Sequence, residues 1–250
     1  MTHDIEYHKA SHTPEAIQER LLRNPAHSYL RDFIYGAIDG TVTTFAVVAG
    51  VAGASLSVSV VVILGIANIV ADGFSMAVSN FLATRAENQQ HQKSRSVERE
   101  HMRLFPEGEK EEVRQIFAKK GFEGDDLERV VAVITANTEL WEETMLKEEL
   151  GIPSAEASSI KAALATFLAF VVFGFLPLVT FLVGLWKPLH SPFFYSALLS
   201  GVSFFLVGAI KGRFVEQRWY FSGLETFAMG GTASALAYGV GLLLKDFAAV

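Results

Sequence analysis

The chain has 250 residues, half of them hydrophobic, with 19% charged residues, a formal net charge of -6 and no cysteine; its mean hydropathy is +0.30. That apolar content exceeds what one soluble core of this size needs. The lack of cysteine excludes disulfides, thiolate metal sites and thiol catalysis, so any metal must be held by carboxylate, imidazole, thioether or amide groups.

Charge is distributed in blocks. Residues 1–31 are polar, 33–83 almost uncharged, 85–161 densely charged and 162–250 largely apolar. This pattern predicts an all-α polytopic membrane protein with five transmembrane helices and a soluble helical insert between spans two and three. Its segments are an arm (1–31), a transmembrane hairpin (32–84), the insert (85–158) and three further spans (159–250). The arm carries Asp4, Glu6, His3, His8 and His12 and lacks the basic-then-apolar order of a secretory signal. It is read as a mobile tail before an uncleaved anchor.

In the hairpin, the uncharged stretch 40–71 is too short for two crossings of about 20 residues each, so Asp39 and Asp72 must lie inside the spans. Spans over 32–53 and 58–83, turning at Gly53-Ala54-Ser55-Leu56-Ser57, bring both aspartates to nearly the same depth. An ionised carboxylate in hydrocarbon costs at least about 2.5 kcal/mol, which makes the pair a candidate functional site. On the second span Asn68, Asp72, Met76 and Asn80 recur every four residues and share one face. On the first, Thr43 follows Asp39 by one turn. The same residues can instead act as hydrogen-bonding glue, with Gly36 and Gly40 as a small-xxx-small contact, and the residues alone leave both readings open.

In the insert, the second span is expected to continue as a polar helix to about Leu104 and break near Pro106. Helices are predicted over 107–120, stopped by Gly121, from Asp125-Asp126 to Asn137, and over 138–150, stopped by Gly151. Glu98 with His101 and Glu109 with Glu112 are spaced i, i+3, and Met145 with Glu149 i, i+4, so each pair projects from one face. Brought together they would offer oxygen, imidazole and thioether ligands, suited to a first-row divalent metal more than to Mg²⁺ or Ca²⁺. Composition alone favours a solvated, salt-bridged surface, because Arg103, Lys110 and Arg114 are interleaved.

The remaining spans are predicted over 162–186, 188–210 and 226–244, none containing a charge. Pro177 should kink the first of these, as membrane helices tolerate. Basic residues cluster in the arm (Lys9, Arg20, Arg23, Arg31), along the insert, and in Lys211, Arg213 and Arg218, against only Lys187 and Lys245 on the other side. The arm, insert and 211–218 loop should therefore face the cytoplasm and the C-terminus away. No Ser/His/Asp set, phosphate loop or paired-carboxylate catalytic motif is present, so the chain is not read as an enzyme, and no nucleic-acid partner is expected.

The segments Phe33-Ile34-Tyr35-Gly36-Ala37-Ile38-Asp39-Gly40-Thr41-Val42-Thr43-Thr44 and Ala71-Asp72-Gly73-Phe74-Ser75-Met76-Ala77-Val78-Ser79 resemble the first two spans of the vacuolar iron transporter family. The insert's ending, Glu148-Glu149-Leu150-Gly151-Ile152-Pro153, resembles it too, and the likeness runs from about Tyr29 to the end. The resemblance implies a five-span homodimer in membrane lipid that exports Fe²⁺, and similar ions such as Mn²⁺, from the cytosol in exchange for protons. The path would lie at the dimer interface, without a fixed cofactor, in a bacterial inner membrane or a eukaryotic vacuolar membrane. The family's first-span Asp and second-span Met, which bind the ion, match Asp39 and Met76. The insert becomes a cytoplasmic metal-binding domain whose ligands match Glu98, His101, Glu109, Glu112, Met145 and Glu149.

Three positions depart from that pattern: Ser79-Asn80 stands for a Gly-Glu pair, His101 for a Glu, and Asp72 for a small residue. Asp72, two turns from Asn80 on the same face, is expected to replace the missing carboxylate, which adds Asp72 and Asn80 to the candidate metal residues. Imidazole at His101 favours later first-row ions and makes binding more sensitive to mildly acidic pH. The competing expectation is a membrane-anchored metal sensor acting through the insert, for which the intramembrane aspartates would be dispensable.

Overall fold

The computed structural model describes residues 9–22, 27–153, 156–187 and 189–247; the expectations for His3, His8, Arg23 and Pro188 fall outside these. Among the described residues there is no β-strand. The helices are α1 (Pro14–Leu22), α2 (Leu30–Gly53), α3 (Val58–Leu104), α4 (Pro106–Lys119), α5 (Gly124–Thr135), α6 (Thr138–Glu148), α7 (Ser159–Trp186), α8 (Pro192–Phe214) and α9 (Trp219–Leu244), with a 3-10 turn over Lys245–Phe247. Two compact units result, one built from Met1–Ser28 and Glu87–Ala157, the other from Tyr29–Ala86 and Ser158–Val250.

Among the described residues, five helices are long and apolar enough to cross a membrane: α2, α3, α7, α8 and α9. Of these, α3 is a single helix of 47 residues, about 70 Å at 1.5 Å per residue and more than twice the ~30 Å hydrocarbon core. Only its part before Arg85 is apolar. The helix of the last span starts at Trp219, seven residues before the expected Thr226, and Glu225 within it pairs with Lys211 of α8 at 3.2 Å. Pro177 does not interrupt α7, and Ser196 of α8 donates a hydrogen bond to its carbonyl at 2.7 Å.

The membrane-type unit is organised around α2. A β-carbon at Gly36 would stand 2.2 Å from the Thr166 carbonyl oxygen, and one at Gly40 2.4 Å from that of Phe170, so α2 and α7 approach backbone to backbone. Further along, a β-carbon at Gly53 would lie 2.4 Å from the Tyr238 oxygen and one at Gly241 2.1 Å from that of Gly50, which brings α9 equally close. Without a hydrophobic drive between helices in lipid, such small-residue contacts supply the association through dispersion. The α3 helix joins by side chains instead, with Val61 and Ile69 packed among Phe45, Val48, Leu178, Phe181 and Phe204.

In the other unit, Met102 of α3 packs with Val113, Val131, Ile134, Trp141 and Met145 of α4 to α6. Gly121 (φ +93°) and Gly151 (φ +66°) take the left-handed conformation that stops α4 and follows α6. Asn137 does not end α5, as expected, but caps α6, accepting from the backbone N–H groups of Glu139 and Leu140.

Gly36→Ala and Gly40→Ala should each cost about 1–3 kcal/mol by overpacking, lowering the thermal midpoint of the detergent-solubilised protein. Gly184→Ala, where an added β-carbon meets nothing within 4 Å, should leave it unchanged.

Candidate metal centres

The first candidate set lies between α2 and α3. Asp39 is half-buried on α2, and its backbone carbonyl accepts a hydrogen bond from Thr43 Oγ1 at 2.9 Å. Thr43 in turn accepts from Asn68 Nδ2 of α3 at 3.2 Å. One turn on, Asp72 is exposed on the flank of α3 and close enough for its charge to act on Asp39. Met76 follows, half-buried.

Asn80 stands differently. Its Nδ2 donates to Asp32 Oδ1 at 2.9 Å and to Thr166 Oγ1 at 2.8 Å, while the Thr166 hydroxyl donates to the Asp32 carbonyl at 3.3 Å. Both amide hydrogens are thus engaged in tying α3 to α2 and α7, and only the carbonyl oxygen remains for a cation. The four-residue stripe read from the sequence divides accordingly. Its amides, Asn68 and Asn80, act as interhelical ties, and a carboxylate and a thioether lie between them. Asp32, the first residue of the expected first span beside Arg31, carries no signal of this role in the sequence.

The second set lies in the insert. Glu98 of α3 and Glu109 of α4 are buried, at 4% and 5% exposure. Burial, the neighbouring carboxyl of Glu109 and the charges of Glu149 and Glu112 push Glu98 up to about 8. Burial also raises Glu112 and Glu149, with Glu109 adding to both and His101 opposing. His101 Nδ1 lies 3.6 Å from Glu109 Oε1, and one oxygen each of Glu98 and Glu109 is buried without a hydrogen-bond partner. Met145 is fully buried in the apolar core beside Trp141 and Met102.

Among the described residues, no three His, Asp or Glu side chains are arranged to hold a metal ion as they stand. The cluster is a neighbourhood of mutually acting charges around the buried carboxyls of Glu98 and Glu109, not a closed coordination cage. The salt-bridged surface expected from composition is also present, on other residues: Lys110 pairs with Glu107 at 2.8 Å, Arg114 with Glu111 and Glu128, and Lys120 with Glu148 at 2.5 Å. Glu142 escaped the sequence reading. It is buried on α6 between Arg95 Nε at 3.2 Å and Arg99 Nε at 2.5 Å, and the one-turn spacing of those arginines was the available signal.

Residues 30–242 match the model of the VIT family. The chain belongs to the VIT family. It is 33% identical to the vacuolar iron transporter of Toxoplasma gondii over 97% of its own length and 85% of that protein's. It is 31% identical to vacuolar iron transporter 1 of Oryza sativa subsp. japonica, covering 84% of this chain and 83% of the relative. It is also 31% identical to vacuolar iron transporter 1 of Arabidopsis thaliana, over 85% of each. These relatives are named as transporters, not enzymes, and the VIT chain described here is likewise no enzyme.

Two outcomes follow from the geometry. Asn80→Ala removes two interhelical hydrogen bonds and leaves Asp32 and Thr166 short of a donor, so it should destabilise the protein by roughly 1–3 kcal/mol. Asp72→Ala, on an exposed flank, should not, and thermal melts of the two variants in detergent compare them directly. For Glu98, the folded value of about 8 lies above the ordinary 4.5. Its stabilising contribution is therefore complete below pH ~4.5 and lost as pH rises through ~8. Hydrogen-exchange protection of α4 to α6 in the metal-free full chain, corrected for intrinsic rates, should fall across that window, and Glu98→Gln should flatten the fall.

Proposed function

We propose that this protein carries a divalent transition metal, Fe²⁺ foremost and Mn²⁺ beside it, out of the cytosol in exchange for protons. The observation that carries the reading is the pair Asp39 and Asp72, two interacting carboxylates on apolar helices with the Met76 thioether one turn further, in a chain of the VIT family.

Two carboxylates close to one another on apolar helices repel when both are ionised, so they share a proton or a cation. An arriving divalent ion displaces the proton, and a proton returning from the other side releases the ion. Thioether beside carboxylate favours Fe²⁺ over the hard Mg²⁺. Asp72 takes the part of the carboxylate missing at Asn80, whose nitrogen is engaged with Asp32 and Thr166.

The insert, 85–158, is proposed to face the cytosol and bind the same ions through Glu98, His101, Glu109, Glu112 and Glu149, with Met145 turning its sulfur towards them on binding. The ion draws those carboxylates inward and displaces the proton held at Glu98. The basic residues of the arm, the insert and the 211–218 loop support this orientation. Two copies in membrane lipid are proposed to form the working unit. Family membership does not favour a sensor that acts through the insert alone.

The test is flux into proteoliposomes with internal pH recorded. Fe²⁺ or Mn²⁺ uptake should drive proton exit. Both Asp39→Ala and Asp72→Ala should reduce it by about tenfold or more, the lower end of what even an indirect partner of a metal ligand contributes. Uptake without proton movement would overturn antiport, and full flux in Asp72→Ala would remove Asp72 from the path.

A further inference from the structure

Three insert carboxylates are buried among the described residues: Glu98, Glu109 and Glu142. They are compensated in opposite ways. Glu98 and Glu109 face one another, and the charges acting on Glu98 are the carboxylates Glu109, Glu149 and Glu112. Glu142 uses both oxygens on guanidinium groups, Oε1 with Arg95 at 3.2 Å and Oε2 with Arg99 at 2.5 Å.

The position of those arginines makes this notable. Arg95 precedes Glu98 by three residues on α3, a spacing at which oppositely charged side chains pair on a helix, and Arg99 adjoins Glu98. Their side chains remain 45% and 63% exposed, so both have room to reorient if Glu142 is removed. Released, they would become internal counter-ions for the acidic cluster, and an incoming metal would have to break their salt bridges before binding.

We propose that Glu142 is a positioning residue that holds Arg95 and Arg99 away from Glu98, Glu109, Glu112 and Glu149, keeping that cluster uncompensated and open to a divalent cation. The inference rests on the insert being a metal site. Since α6 carries Glu142 one turn before Met145 and two turns before Glu149, the same contact also sets α6 against α3.

A purely structural clamp and a charge-sequestering one respond differently when the arginines are removed as well. The test is Mn²⁺ titration of the full chain in detergent, carrying Asp39→Ala and Asp72→Ala so that the intramembrane set does not contribute. Glu142→Gln should weaken binding about tenfold, and adding Arg95→Gln and Arg99→Gln should restore most of the lost affinity. Unchanged affinity in Glu142→Gln, or a triple variant as weak as the single one, would overturn the proposal. If Glu142→Gln does not fold, Glu142→Asp with and without Arg99→Gln makes the same comparison, with the charge kept and its reach shortened. Absence of Mn²⁺ binding before any change at Glu142 would defeat the metal-site reading itself, and the inference with it.

Discussion

The backbone approach of α2 to α7 at Gly36 and Gly40 is the contact on which the rest of the membrane-type unit depends. There is no room at either position for a β-carbon, so the two helices are held at a separation only glycine allows. Asp39 lies between these glycines in sequence, so its place on α2 is fixed by their contact with α7. Thr166 links this packing to the polar network. Its carbonyl lies against Gly36, and its hydroxyl accepts from Asn80 and donates to Asp32. A shift at the glycine contact would therefore be transmitted to the second span.

That span is attached by fewer and softer means. Two amide ties, Asn68 to Thr43 and Asn80 to Asp32, stand about 18 Å apart along the helix axis at 1.5 Å per residue and bracket Asp72 and Met76. Apolar contact through Val61 and Ile69 supports the end near the turn. A buried polar tie is satisfied in one register only, and slippage would leave Asp32 and Thr166 without their donor. The ties thus fix depth and rotation where ion-binding groups are proposed, while the flank carrying Asp72 stays exposed.

Much of this was legible because helix periodicity and charge spacing are local. Span order, the turn at 53–57, the break at Pro106 and the stops at Gly121 and Gly151 all follow from residue types in place. The pairing of Glu225 with Lys211 on another helix was not legible, because no window along the chain contains that partner. The four-residue stripe on α3 had a correct period but a mixed use, since whether an amide ties helices or faces an ion depends on what stands across from it. Both roles proposed for these residues were open in the sequence, and the partners Thr43, Asp32 and Thr166 separate them.

The same dependence on partners explains why one insert carries both inert and reactive carboxylates. Glu107, Glu111, Glu128 and Glu148 each have a lysine or arginine at hand, and the basic partner holds Glu111, Glu128 and Glu148 below the usual value. Solvent screens such surface pairs, so they contribute little stability. Glu98 and Glu109 have the reverse arrangement, buried with other acids as neighbours, and a proton takes the place of a cation. Removing a carboxylate from water without a counter-charge is unfavourable, so a fold that does it twice in one place retains a standing demand for positive charge. A proton at Glu98 meets that demand near neutral pH and is lost as pH rises through about 8. A divalent ion meets it with twice the charge.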